Sequence, residues 1–311
     1  MASQFALVFP GQGSQVTGML SDLADEYTAV KETFAQASEV LGYDLWDLVQ
    51  SNPDDKLNQT EYTQPALLAA SVAIYRCVAP HIGQPVLMAG HSLGEYSALV
   101  CSGALDFASA IKLVQLRGQA MQQAVPEGTG AMAAVIGLDD EAIAIACEQS
   151  AQGEVVAPVN YNSPGQVVIA GQKDAVARAG DACKAAGAKR VLPLPVSVPS
   201  HCELMRPAAE VLADALTQVS IQAPDMTVLH NVDVSEANAS TIAANLVAQL
   251  HSPVLWTQTM QRMAADGITK VYEIGPGKVL TGLSKRIDKA LDTQAVNDPE
   301  SVQMIIKEQA K

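Results

Sequence analysis

The sequence predicts an α/β protein with a large lobe, a parallel sheet covered by helices, that carries a smaller ferredoxin-like lobe inserted into it. Two observations carry that prediction. Short apolar runs alternate with helical patterns in the first part of the chain and again after about residue 199, the order that builds a parallel sheet. Between 128 and 198 the order changes to β-α-β-β-α-β, the split βαβ arrangement. A chain of 311 residues is long enough for both lobes, with 1–127 and 199–311 forming the large one and 128–198 the small one.

Phe5 to Phe9 reads as a buried strand ending in the turn Pro10-Gly11-Gln12-Gly13. Residues 65–80 form a mostly apolar helix, 86–89 a buried strand and 94–102 the start of another helix. In the small lobe the strands are AMAAVIGL, EVVAPVNY, QVVIAG and KRVLPLPV, and the helices are DDEAIAIACEQSA and KDAVARAGDACKAAG. Asn162-Ser163-Pro164-Gly165 is the turn between the middle two strands. An amphipathic helix (203–218), a strand (226–232), a helix (240–250), a helix after Pro253 and a strand (269–274) complete the pattern.

Composition narrows the function. A net charge of −14 argues against nonspecific binding to nucleic acid or to an anionic membrane surface, both of which attract positive patches. No apolar stretch approaches the ~18 residues of a membrane span, and the amino terminus lacks a basic leader. Five scattered cysteines without a C-x-x-C pair fit a reducing cytoplasm. Two glycine-rich stretches fail as cofactor motifs. After Gly11 and Gly13 the dinucleotide pattern meets Val16, and in GPGKVL the phosphate-loop pattern has Val279 after Lys278 and Tyr272 at its first glycine. No cofactor or metal is expected.

The chemistry starts at Gly90-His91-Ser92-Leu93-Gly94. This G-x-S-x-G follows a buried strand and opens a helix, the context of a nucleophile elbow, and makes the large lobe α/β-hydrolase-like. The bland alternative is a capping serine in an ordinary strand-to-helix turn. A serine nucleophile needs a base, and the histidines are His81, His91, His201, His230 and His251. His91 reads as packing within the elbow, His230 and His251 as structural or surface, and His81 as part of a polar connection. His201 stands in Ser200-His201-Cys202-Glu203, which fits a capping box and places it in the first turn of a helix, where the dipole keeps the ring neutral. Cys202 beside it suggests a Cys-His pair, but adjacent helical residues do not face each other. The acids between serine and histidine, such as Glu95, Asp106 and Asp139, occupy no recognisable triad position, so a dyad oriented by a backbone carbonyl stays open.

Arg117 shares an apolar helix face with Leu113, Val114 and Met121. A guanidinium there either closes an internal salt bridge or grips a substrate carboxylate. These residues leave three classes standing: a serine esterase or thioesterase, an acyltransferase, and a non-catalytic scaffold or binding protein.

Taken together, FPGQGSQ, GHSLGEYSALV, the run from Arg117 through Asp140, NSPGQVVIAG, PVSVPSHC and EIGPGKVLTGL resemble the malonyl-CoA:acyl carrier protein transacylases of fatty acid synthesis over essentially the whole chain. The acyltransferase domains of polyketide synthases share the GQGSQ and GHSxGE motifs, so a trans-acting polyketide-type acyltransferase is the near alternative. The resemblance implies Ser92 as nucleophile, His201 as base and Arg117 as the malonyl-carboxylate ligand. It further implies the Gln12 and Leu93 amides as oxyanion hole, the Gln249 carbonyl as orienter of His201, and Asn162 as part of the cleft. Malonyl-CoA and acyl carrier protein would be the partners. Val198-Pro199-Ser200 departs from the aromatic-containing selectivity motifs of polyketide domains, so extender-unit rules do not transfer. Because carrier proteins are acidic, Lys189-Arg190 and Lys285-Arg286 are expected docking residues.

Overall fold

The computed structural model describes residues 4–196 and 198–310. Its strands are β1 (Phe5–Phe9), β2 (Leu87–Gly90), β3 (Gly130–Ile136), β4 (Val156–Ser163), β5 (Gln166–Gln172), β6 (Arg190–Pro193), β7 (Thr227–Leu229), β8 (Lys270–Ile274) and β9 (Asp292–Val296). They form two sheets, one parallel in the order β7-β2-β1-β8-β9 and one antiparallel in the order β4-β5-β3-β6. The second order, with two helices on one face, is the ferredoxin-like arrangement expected for the inserted lobe.

A continuous apolar run such as FALVF is required where a parallel strand is covered on both faces, and every residue of β1 is buried. Phe5, Leu7 and Phe9 point into the core formed with helices Thr28–Leu41, Thr60–Val78 and Phe107–Gln123. Ala6 and Val8 point the other way, against Trp256, Met260 and Leu280. In the small lobe Val135, Val167 and Ile169 pack under helices Asp140–Ser150 and Lys173–Ala185. The opposite face, with Met132, Ala134, Val159 and Val168, packs toward Cys202 and the cleft.

Several boundaries differ from the sequence reading. The helix read from 65 begins at Thr60 and carries Pro65 inside it, its first turns secured by Thr63 Oγ1 donating to the carbonyl of Leu57 at 2.6 Å. The last strand of the small lobe stops at Pro193 on a largely exposed edge, with one more bond from the Leu194 amide to the Met132 carbonyl at 2.9 Å. Asn162 and Ser163 belong to β4 and not to the turn, which is Pro164-Gly165 alone, with Gly165 at φ 71°. Helices between Ser21 and Ser51, the edge strand β9 and the helix Pro299–Gln309 were not anticipated. No helix among the described residues is long and apolar enough to cross a membrane.

In-register pairing of Phe9 with Gly90 places the loops that follow β1 and β2 side by side at the carboxyl edge of the parallel sheet. The loops after β7 and β8 reach the same edge. Ligands of open α/β sheets bind at such an edge, and here it faces the small sheet across a cleft.

Candidate active site

The elbow is built from backbone that only glycine allows. A Cβ at Gly90 would lie 1.9 Å from the Gly94 backbone, and one at Gly94 would lie 2.1 Å from the Phe9 carbonyl oxygen. Between them Ser92 adopts φ 51°, a left-handed conformation that costs on the order of 1–3 kcal/mol for a residue with a side chain. Asn231, just beyond β7, holds the turn: its Oδ1 accepts from the Ser92 amide at 2.7 Å and its Nδ2 donates to the Gly90 carbonyl at 2.7 Å. The Ser92 carbonyl accepts from Gln249 Nε2 at 3.0 Å.

His201 brings Nε2 to 2.8 Å from Ser92 Oγ, and its Nδ1 lies 2.6 Å from the main-chain oxygen of Gln249. That second contact fixes Nδ1 as the protonated nitrogen and leaves Nε2 to accept. The capping box predicted over Ser200–Glu203 does not form. His201 is not in a helical first turn; it sits at φ 65°, with its amide donating to the Leu250 carbonyl at 3.0 Å. Glu203 is engaged by Arg206 and starts a short 3-10 turn ahead of the helix Arg206–Leu216, while Ser200 Oγ reaches only the Val198 carbonyl. The ring is still neutral, for a different reason: burial first and the Arg117 cation second lower its pKa from 6.5 to about 3.

Arg117 is 1% exposed. Its Nη1 donates to Gln64 Oε1 and its Nη2 to Gln249 Oε1, each at 2.9 Å, and Nη2 also lies 3.4 Å from Ser92 Oγ. The guanidinium packs 5.5 Å from the centre of the Tyr96 ring, and Nε has no partner among the described residues. None of its hydrogen-bond acceptors is a carboxylate, so the internal-salt-bridge alternative does not hold among the described residues. Burial pulls its pKa down, but a guanidinium keeps its proton.

The remaining residues fall into place around this pair. A Cβ at Gly11 would lie 2.4 Å from the His91 carbonyl oxygen, so the loop bearing Gln12 lies directly against the elbow. The amides of Gln12 and Leu93 have no acceptor among the described residues, and both residues line the cleft. Asn162 is the extra residue where the β4–β5 register shifts between Tyr161 and Ser163, and its Oδ1 meets His91 Nε2 at 2.8 Å. His91 is therefore held away from the serine proton, its ring beside Trp256. Cys202 is buried, its thiol pushed up to about 11, and its Sγ faces the Pro199 carbonyl. The GPGKVL stretch is closed to phosphate, because the buried Glu273 carboxylate already accepts from the Leu280 and Thr281 amides at the start of the following helix.

Sequence reasoning missed Gln64, which holds Arg117, Asn231, which clamps the elbow, and the role of Glu95. Glu95, weighed only as a triad acid, is fully buried and accepts from His230 Nδ1 at 2.7 Å, the Asn231 amide at 3.1 Å and Gln249 Nε2 at 2.7 Å. Its position one helical step after the elbow, in GHSLGE, was the available signal. Between the lobes lies a cleft of about 200 Å³, polar at Ser92, His201 and Arg117 and apolar at Met121, Met132 and Leu283.

Comparison with known proteins agrees with this geometry. The family model for the acyl transferase domain matches residues 6–311. The malonyl CoA-acyl carrier protein transacylase of Escherichia coli (strain K12) is 62% identical over 302 residues, covering 96% of this chain and 98% of that one. The crystal structure of an acyl carrier protein S-malonyltransferase from Vibrio cholerae superposes with a TM-score of 0.95 at 64% identity, covering 97% of this chain and all of that one. A malonyl-transacylase in complex with a type II PKS acyl-carrier protein superposes with a TM-score of 0.97 at 60% identity, covering 98% of this chain and 99% of that one. The strand–elbow–helix that carries Ser92, the cleft beside it and these matches along nearly the whole length together establish that the chain belongs to the acyl transferase domain family, among its malonyl CoA-acyl carrier protein transacylases.

Proposed function

We propose that this chain moves a malonyl group from malonyl-CoA to the phosphopantetheine thiol of an acyl carrier protein by a ping-pong route through an ester on Ser92. The observation that carries the reading is Arg117: a buried cation 3.4 Å from the nucleophile whose partners are two neutral amides. A desolvated guanidinium with no paired carboxylate is a site for an anionic acyl group. A plain esterase has no use for it.

In this reading neutral His201 takes the Ser92 proton as Oγ attacks the thioester carbonyl. The carbonyl oxygen turns toward the Gln12 and Leu93 amides, whose lack of other acceptors supports their assignment as the oxyanion hole. Collapse expels CoA, which leaves as a thiol with the proton held by His201. The phosphopantetheine thiol then attacks the ester, giving its proton to His201, which returns it to Ser92. Gln249 orients His201 through its carbonyl, and Asn162 shapes the cleft wall through His91. Arg117 fixes the malonyl tail and leaves little room for an attacking water.

The test is malonyl-CoA turnover by Arg117→Ala with and without carrier protein. The reading expects transfer to fall and hydrolysis to rise relative to it; an unchanged ratio makes Arg117 a binding group only.

The related complex with a type II PKS acyl-carrier protein favours a second acceptor class, a polyketide carrier protein, for the same chemistry. For docking, Lys189, Arg190, Lys285 and Arg286 are all exposed. The side chain of Lys189 covers Gly137, which bonds Gly165, and Arg286 Nη1 donates to Gln166 Oε1 at 2.7 Å. One residue of each basic pair, Lys189 and Arg286, thus lies by the Pro164-Gly165 hairpin, a surface suited to an acidic partner. A division of the chain at 128 and 198 accords with the two separate sheets. Five buried free cysteines support assignment to the cytoplasm.

A further inference from the structure

The Ser92–His201 pair has a carbonyl where a triad would have a carboxylate, yet a carboxylate stands one layer behind it. Glu95 is 0% exposed, and burying a carboxylate this deeply is costly unless its oxygens are satisfied. Three donors satisfy them, and each belongs to a group that serves the site. The Asn231 amide and His230 Nδ1 anchor the loop after β7, whose Asn231 side chain clamps the elbow at the Ser92 amide and the Gly90 carbonyl. Gln249 Nε2 is the third donor, and the same residue takes Nδ1 of His201 on its carbonyl and Nη2 of Arg117 on its side-chain oxygen.

The arrangement has a chemical rationale. A carboxylate in place of the Gln249 amide would pair directly with Arg117 and occupy the fork a substrate carboxylate needs. Setting the acid behind an amide keeps a negative charge close enough to order the site without capping Arg117.

We propose that Glu95 is a positioning residue of the transfer reaction, holding the Ser92–His201 pair in register through Gln249 on one side and Asn231 on the other. The inference rests on the acyl-transfer reading for one point only, that Ser92 is the nucleophile.

Glu95→Gln removes the charge and keeps the shape. Its one oxygen then accepts from Asn231 and Gln249 without the charge that strengthens both bonds, and its amide meets His230 only if that ring changes tautomer. Gln249→Leu removes the side-chain bonds and keeps the main-chain carbonyl. The readout is the rate at which an uncharged fluorophosphonate labels Ser92, since that reagent offers nothing to Arg117. Each variant is expected to slow labelling about ten- to hundredfold, and the double variant to be no slower than the slower single, because the two act as one unit. In malonyl transfer, Glu95→Gln should lower kcat while the malonyl-CoA KM moves less than about threefold. Circular dichroism normalises every rate to folded protein, and if Glu95→Gln does not fold, Gln249→Leu decides alone. Labelling within about threefold of the parent rate, or losses that multiply in the double variant, overturn the proposal. Absence of any label on Ser92 in the parent overturns the acyl-transfer reading instead.

Discussion

Replacing Arg117 with alanine separates charge recognition from acyl chemistry, and the structure sets the size of the effect. The guanidinium is desolvated, and its outward nitrogen lies beside Ser92 Oγ, where a bound malonyl carboxylate would form a charge-assisted pair. Truncating one partner of a buried hydrogen-bonded charge pair costs roughly 2–5 kcal/mol. At about 1.4 kcal/mol per decade this is a loss of roughly 30- to 4,000-fold in kcat/KM for malonyl-CoA. Acetyl-CoA has no carboxylate to lose, so its transfer should be unchanged or faster in the variant. Stability should behave oppositely to activity, because alanine relieves a buried cation that has no direct carboxylate partner, at the cost of two amide contacts. The assay is initial-rate transfer of each acyl group to phosphopantetheinylated carrier protein, with thermal unfolding measured alongside. An equal loss with both acyl-CoA substrates, or a malonyl loss below about tenfold, would refute the reasoning.

Three further outcomes follow from the geometry. Gly11→Ala places a methyl group 2.4 Å from the His91 carbonyl oxygen, so the Gln12 loop must move. With one oxyanion donor displaced, kcat should fall by about 10²–10³ while the fold survives, and a variant with parental kcat removes Gln12 from the oxyanion hole. Burial and Arg117 hold His201 at about 3 against an ordinary 6.5. The unfolded chain therefore binds more protons between those values, and the stability from the neutral ring is complete above pH 6.5 and falls as pH drops toward 3. His201→Asn should lose less stability than the parent between about pH 7 and pH 4.5 in urea unfolding; parallel pH dependences contradict a buried neutral His201. Reversing the charges of Lys189, Arg190, Lys285 and Arg286 should raise the KM for carrier protein about tenfold or more without slowing Ser92 acylation, and an unchanged KM removes this face as the dock.

What could be read from the chain alone was whatever depends on local backbone and pattern. The apolar run of β1, the split βαβ order and the glycines of the elbow each answer a constraint within a few residues, and all were legible. Arg117 was legible because a charge on an apolar helix face needs an explanation. The edge strand β9, half exposed and without clean alternation, gave no such pattern. His201 shows the limit more sharply. Ser200 to Glu203 has the letters of a capping box, but the neighbouring Arg206 takes Glu203 and the distant Leu250 carbonyl takes the His201 amide, so a competing local pair and one long-range bond override the motif. The Glu95 network was invisible for the same reason, since its donors lie 135, 136 and 154 residues away. Asn162 was placed in a turn, and its true role at a strand irregularity needed the partner strand to be seen.

The central claim is that Ser92 carries the acyl group between two thiols. Peptide mass spectrometry after exposure to malonyl-CoA, and again after adding phosphopantetheinylated carrier protein, tests it most directly. A malonyl ester is expected on the peptide containing Ser92, persisting in buffer and disappearing when carrier protein is added, with the malonyl group recovered on its phosphopantetheine. An adduct on Cys202, no adduct at all, or an ester lost to water as fast without carrier protein as with it would mean that Ser92 does not carry the acyl group from one thiol to the other.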